Sequence, residues 1–157
     1  MESEQIKDSP DVIWCPPIIF LGALGLGLLV DWLFPSQRLL SESWQLAGGI
    51  LGATGTAIGF WGVFAFHRAG TNVRPDLPVT SLVTTGPFRY SRNPLYMALT
   101  IIYLGITLSA GSLWPLLTLM PALAVVHWKI VLREEQYLES RFGDGYRTYK
   151  AQVNRWI

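Results

Sequence analysis

Two short segments of this chain hold side chains that could do chemistry together. The first runs Arg89-Tyr90-Ser91-Arg92-Asn93-Pro94-Leu95-Tyr96 and follows a Gly86-Pro87 turn signal. Asn93 before Pro94 has the chemistry of an N-cap with proline at the first helical position, so a helix is predicted to begin there. Its free backbone N–H groups and positive dipole end, with Arg89 and Arg92 alongside, make a candidate anion site. The second segment reads His127-Trp128-Lys129-Ile130-Val131-Leu132-Arg133-Glu134-Glu135 and closes a long apolar run. Carboxylates at a membrane border are costly unless paired or wetted, which makes Glu134 and Glu135 site candidates. Neighbours on a helix point about 100° apart, so one glutamate aims into a cleft while the other braces it or pairs with an arginine. His127 precedes Glu134 by seven residues, on one face of a regular helix, and ranks below the glutamates because lone interfacial histidines are usually structural. Arg68 and Arg74 read as ordinary basic residues at a membrane border.

The elements that must position these segments follow from where charge is missing. Only 15% of the 157 residues are charged and 50% are hydrophobic, against roughly 25% charged in soluble domains. With 12 basic and 11 acidic residues the chain has no excess charge for nucleic acid. The single cysteine, Cys15, excludes an internal disulfide and a cysteine-built metal site, and no metal is expected. No Asp, Glu, Lys or Arg occurs from Val12 to Val30, from Ser43 to Phe66, or from Asn93 to Trp128. Since about 20 apolar residues cross a bilayer, the first two stretches hold one span each and the third holds two. The predicted spans are Pro16 to Phe34, Gln45 to Phe66, Leu95 to Ser109 and Leu113 to Leu132.

Between the third and fourth spans only Ser109 to Ser112 intervene, which predicts a tight helical hairpin. Pro115 and Pro121 fall in the fourth span, with a bend expected near Pro121. The run Gly22 to Gly27 has no strand before it and reads as helix packing, not as a nucleotide loop. Gly48 with Gly52 and Gly55 with Gly59 have the small-xxx-small spacing of closely approaching membrane helices. Glu2, Glu4, Asp8 and Asp11 against Lys7 are unlike a signal peptide's positive start. Eleven of the twelve Lys and Arg residues lie on the tail, the second connection and the C-terminal region, with Arg38 alone opposite, so both ends are expected in the cytoplasm.

Beyond the fourth span, Gly143 stops a helix and Asp144 is placed to cap another. Tyr146, Tyr149, Val153 and Trp156 then recur at intervals of three and four, facing away from Arg147, Lys150 and Arg155. That face suits a helix on the membrane surface and equally a helix packed on the protein's own loops. The expected architecture is all-α: a single domain over 1–157, with a tail at 1–15, a bundle of about four transmembrane helices at 16–132 and cytoplasmic C-terminal helices at 133–157.

In order along the chain stand Gly70-Thr71 with Pro75, Leu82-Val83-Thr84-Thr85-Gly86-Pro87-Phe88 leading into Arg89 to Tyr96, Arg133-Glu134-Glu135, Arg141-Phe142-Gly143, Tyr146, Tyr149 and Arg155-Trp156-Ile157. This series resembles the isoprenylcysteine carboxyl methyltransferase and phospholipid methyltransferase superfamily of integral membrane enzymes, well over Gly70 to Ile157 and only in hydropathy over the first two spans. The resemblance implies a methyltransferase that holds S-adenosylmethionine between the cytoplasmic ends of its last membrane helices and its C-terminal segment. It carries Leu82, Val83, Gly86, Arg89, Arg92, Asn93, Pro94, Tyr96, Glu134 and Glu135 over as cofactor-site candidates, with Arg92, Glu134 and Glu135 as the catalytic ones. Many members have histidine in the place of Asn93, so the titratable group is absent here.

That cofactor combines an ammonium, a carboxylate, a sulfonium and an adenine. A site for it needs an acid, a basic group or helix N-terminus, and aromatic surface. Glu134 or Glu135, Arg92 with the helix start, and Phe88, Tyr90 or Tyr96 supply these, with His127 a further candidate. A lipophilic acceptor reached from the lipid bilayer, an isoprenylcysteine-type carboxylate or a phospholipid amine, suits a site at the membrane border. Membrane sterol reductases, which bind a nicotinamide cofactor, have a similar arginine and proline signature, but they continue with Asn-Tyr and an early glutamate where this chain has Leu95-Tyr96-Met97 and no acid before Glu134. A non-catalytic scaffold of the same fold is the remaining alternative, argued by Asn93 and opposed by the intact arginine, tyrosine and paired glutamates.

Overall fold

The computed structural model of the chain describes residues 15–35, 42–73, 77 and 79–157. The acidic tail with Lys7, and Arg38, Arg74 and Pro75, lie outside the described residues. Among the described residues the chain is all helical, with α1 (Pro16–Leu33), α2 (Glu42–Arg68), a 3-10 turn at Gly86–Arg89, α3 (Pro94–Ala110), α4 (Trp114–Val126), α5 (Leu132–Phe142) and α6 (Asp144–Gln152). Proline in the first turn starts α1, α3 and α4, where its missing N–H would be unpaired anyway. α3 stops at Gly111, whose φ of 68° is open to glycine without strain.

Three helical stretches are long and apolar enough to cross a membrane: Pro16–Leu33, Ser43–Arg68 and Trp114–Phe142. These mark the chain as a membrane protein. The predicted third span, α3, has 17 residues, about 25 Å of helix against about 30 Å of hydrocarbon. The fourth differs from expectation. α4 does not end at Leu132 but continues through a π-helical segment at His127–Val131 into α5, a run of 29 residues. Glu134 and Glu135 therefore extend the fourth span itself, and the break in direction comes at Gly143 (φ 52°). Pro121 lies inside α4, with the change in helical register six residues beyond it.

The glycines of α2 fix α3. A Cβ added to Gly48 would lie 2.6 Å from the Gly105 carbonyl oxygen, one on Gly55 2.9 Å from that of Ala98, and one on Gly105 2.5 Å from the Gly52 nitrogen. Gly48, Gly52, Gly55, Gly59 and Gly62 follow one another at four and three residues, the spacing of a left-handed seam; the backbones meet directly at Gly48, Gly55 and Gly105, while Gly59 and Gly62 receive the side chains of Ala98 and Leu95. Of the Gly22 to Gly27 run only Gly27 is used, against the backbone of Pro115, while Gly22 and Gly25 face open space.

The predicted tight hairpin is corrected by the same packing. α3 and α4 are joined by a short turn, yet α3 lies on α2 and α4 lies on α1. Their own meeting point is Tyr103, whose hydroxyl donates to Pro115 O at 2.8 Å and lies 2.8 Å from Thr118 Oγ1. Thr118 in turn donates to Ala23 O. Phe20, Leu24, Tyr103, Leu119, Val126 and Ile130 fill the interior, while Leu21, Phe60, Phe64, Leu117 and Met120 point outward, as bilayer-facing residues do.

Candidate functional site

The turn before α3 is seated on α2. Gly86 (φ 62°) passes so near Trp61 that an added Cβ would lie 3.2 Å from its Nε1, and Phe88 sits edge-on to Phe66 at 5.1 Å. Leu82 and Val83 lead into this turn, and Ser91 to Asn93 leave it to clasp the end of the chain. Arg92 N donates to Asn154 O at 3.0 Å, while Ser91 Oγ and Asn93 Nδ2 both donate to Arg155 O, at 3.2 and 3.1 Å. Asn93 thus stands at the N-cap position of α3, but its side chain holds the C-terminal segment and does not cap the helix. Among the described residues no side chain caps that first turn.

This clasp brings Arg155 over Glu135. The guanidinium binds the carboxylate with two hydrogen bonds, Nε to Oε1 at 2.9 Å and Nη2 to Oε2 at 2.8 Å. Arg92 Nη1 reaches Oε1 of the same group at 3.0 Å, and the side chains of Arg92 and Glu135 are each only 9% exposed. Arg92 Nη1 also lies 3.4 Å from the Tyr146 hydroxyl. Arg92 Nε, buried, finds no hydrogen-bond partner among the described residues, a state that costs roughly 1–3 kcal/mol and that folded proteins rarely leave without a reason. Glu134 does something different. Its Oε1 accepts the Tyr96 hydroxyl at 2.7 Å, so one glutamate is braced by arginines and the other is held by a phenol.

These groups share one cavity of about 110 Å³, which Leu82, Val83, Phe88, Arg92, Asn93, Pro94, Tyr96, Glu134 and Glu135 all line. Three expected members stand outside it. Gly86 is spent on the approach to Trp61, Arg89 is exposed, and His127 lines a second cavity, with its ring 6.1 Å from that of Trp156. In an unbroken α-helix seven residues bring the chain back to within about 20° of the same direction. The π-helical segment at His127–Val131 removes that match and parts His127 from Glu134. Tyr90 also turns away, exposed and beside Trp61.

Tyr146 and Tyr149 join the site although their spacing also fitted a helix on the membrane surface. Both are buried and line the cavity, and the Tyr149 hydroxyl donates to Phe88 O at 2.8 Å. Packing on the protein's own turn is the outcome, and α6 ends at Gln152 before Val153 and Trp156. Asp144 is the first helical residue instead of the cap, paired with Arg147 at 3.1 Å. Burial, and then the charge of Glu135, push the Tyr146 phenol up; burial also raises Tyr149. The bidentate bond to Glu135 raises Arg155 further. Tyr137, whose hydroxyl accepts from Val79 N at 3.3 Å, completes the wall without having been singled out. For Arg155 the only signal in the sequence was its place in the terminal Arg-Trp-Ile.

Residues 44–145 match the sequence profile of the phospholipid methyltransferase family. A Haemophilus influenzae protein, described only as uncharacterized, is 41% identical over 63 residues that cover 40% of this chain and all of that protein. No solved structure matches. The matched stretch takes in the glycine seam, the turn, α3 and both glutamates, and on it the chain belongs to the phospholipid methyltransferase family.

Proposed function

We propose that this chain is an integral membrane methyltransferase that uses S-adenosylmethionine and acts on a lipophilic acceptor. The observation that carries the reading is the buried Arg92, which lines a cavity shared with Glu134 and Tyr96 and whose Nε has no hydrogen-bond partner among the described residues. The donor set fits the cofactor in kind. Arg92 and the uncapped start of α3 suit a carboxylate, Glu134 suits an ammonium, and Phe88 and Tyr96 offer aromatic surface to a cation. The enclosed volume is below the roughly 300–1,000 Å³ that surrounds a drug-sized ligand, so the formed part of the site takes one polar end of the cofactor.

When bound, S-adenosylmethionine would supply an electrophilic methyl group on a sulfonium sulfur, with the neutral sulfide as leaving group. The protein's own part is orientation, worth up to roughly 7–11 kcal/mol in such reactions. Glu135, fixed by two guanidiniums, holds Arg92 in place and sets no acid or base free. Glu134, held by Tyr96, either neutralises the cofactor's ammonium or takes a proton from an amine acceptor, whereas a carboxylate acceptor needs none removed. The basic residues that follow α2 and the end of the long helix favour a cytoplasmic site with both chain ends on that side. A C-terminal tag should therefore resist labelling from outside intact cells, and labelling there would contradict the four-span arrangement.

The direct test is calorimetry on detergent-purified protein, with S-adenosylmethionine and NADPH titrated separately. Binding of S-adenosylmethionine and not NADPH is expected. Retention of NADPH alone would replace this reading with the reductase one.

A further inference from the structure

Among the described residues, the charged side chains that line the polar cavity are one cation, Arg92, and two anions, Glu134 and Glu135. Their sum is one negative charge, at the place where a carboxylate is to be bound. Arg155 stands outside that lining, yet its guanidinium holds Glu135 with two hydrogen bonds of 2.9 and 2.8 Å. With Arg155 included, the four charges balance.

The two arginines do not share Glu135 equally. Arg155 meets both carboxylate oxygens in the fork geometry that makes the strongest pair of this kind. Arg92 touches the same group through Nη1 at 3.0 Å, and Nη1 also lies 3.4 Å from the Tyr146 hydroxyl, while Nε has no hydrogen-bond partner among the described residues. Without the charge of Arg155, Glu135 would be left with Arg92 as its one cation and would neutralise it. The place of Arg155 is set through its backbone, because Ser91 Oγ and Asn93 Nδ2 donate to Arg155 O and Arg92 N donates to Asn154 O. Replacing its side chain therefore leaves that clasp intact.

Resting on the methyltransferase reading above, we propose that Arg155 is a positioning residue for the cofactor: it neutralises Glu135 from outside the cavity and so keeps the charge of Arg92 available to the cofactor's carboxylate. Ser91 and Asn93, by holding the Arg155 backbone, fix where that charge sits. A ligand of the same shape without the carboxylate gains nothing from Arg155.

The test titrates the full chain in detergent, by calorimetry, with S-adenosylmethionine and with decarboxylated S-adenosylmethionine, which keeps the sulfonium, the amine and the adenine. In Arg155→Gln the affinity for S-adenosylmethionine should fall about tenfold, within the range that partners in one salt-bridge network show, while that for the decarboxylated probe holds or rises. Arg155→Lys, which restores the charge without the fork, should recover most of the loss. Adding Glu135→Gln to Arg155→Gln should also restore wild-type affinity, because Arg92 and Glu134 then balance within the cavity. An Arg155 that only holds the C-terminal segment predicts the reverse, with both probes weakened alike and the double variant worse than the single. Either of those results, or unchanged affinity for S-adenosylmethionine in folded Arg155→Gln, would overturn the proposal. Should Arg155→Gln alone not fold, the double variant with its uncharged pair decides, and a loss of about tenfold there contradicts the proposal. Wild-type protein that binds neither probe overturns the methyltransferase reading and this inference together, whereas wild-type binding with equal losses for both probes in Arg155→Gln overturns this inference alone.

Discussion

α3 is held by two unlike neighbours. Along its length it meets α2 through absent side chains, with Gly48, Gly52 and Gly55 set against Gly105, Ala98 and Ile102. At its start it is held by charge, where Arg92 and Arg155 converge on Glu135 and the Ser91–Asn93 stretch clasps Asn154 and Arg155. At Gly48, Gly55 and Gly105 the seam leaves no room for a side chain, because a backbone cannot retreat from an added methyl group. The charged cluster has partners that a ligand can share or exchange, and among the described residues it leaves Arg92 Nε without a hydrogen-bond partner. The rigid contact positions the helix, and the exchangeable one is where binding energy can enter.

Removing the acid from the cluster should have the largest effect. Glu135→Ala leaves two guanidiniums facing each other near the cavity, and breaking a buried pair of this kind costs about 3–5 kcal/mol. Thermal unfolding in detergent should show the loss, and Glu135→Gln should recover part of it; an unchanged midpoint in Glu135→Ala would mean that the cluster does not hold the C-terminal segment. Next comes the seam. Gly105→Leu forces a side chain into the α2 backbone and should cost about 3 kcal/mol, at the upper end of overpacking in cores, whereas Gly25→Leu, which faces open space, should cost almost nothing. Equal effects of the two would show that the seam is not a backbone contact.

A smaller loss is expected from Tyr149→Phe, which removes the bond to Phe88 O, about 1 kcal/mol. Hydrogen exchange should find α6 opening more often in that variant. The least effect concerns alkali. Tyr146 and Tyr149 are raised in the folded chain, so the docked state holds these protons more tightly than the undocked one. Their contribution is therefore complete below the ordinary phenol value near 10 and is lost as pH rises above it. A protection factor of α6 that stays flat from pH 8 to beyond 10.5 would contradict this.

Helix positions and the glycine seam were legible because each rests on a local pattern. Charge-free runs mark the apolar helices, and spacings of three and four residues mark the face that touches a neighbour. The pairing of α3 with α2 in place of α4 was not legible, since a four-residue turn fixes adjacency in the chain and says nothing of which face is buried. The same limit hid the role of Asn93, whose local chemistry is that of a cap but whose amide is claimed by Arg155 O, sixty-two residues on. The π-helical segment left no trace in hydropathy, because Ile130 and Val131 are apolar in either register, and it lies between His127 and Glu134. The two glutamates divided as helical geometry requires, one braced and one held by Tyr96, and only the fold could say which.

On the proposed methyltransferase function, Arg92 binds an anionic group of S-adenosylmethionine. Titration of that cofactor into detergent-purified wild-type protein and Arg92→Ala, by calorimetry, tests it most directly. A hydrogen bond to a charged group is worth about 1.5–3 kcal/mol, so affinity should fall at least tenfold while thermal unfolding shows the variant still folded. Equal affinity in a folded Arg92→Ala protein would place the cofactor elsewhere.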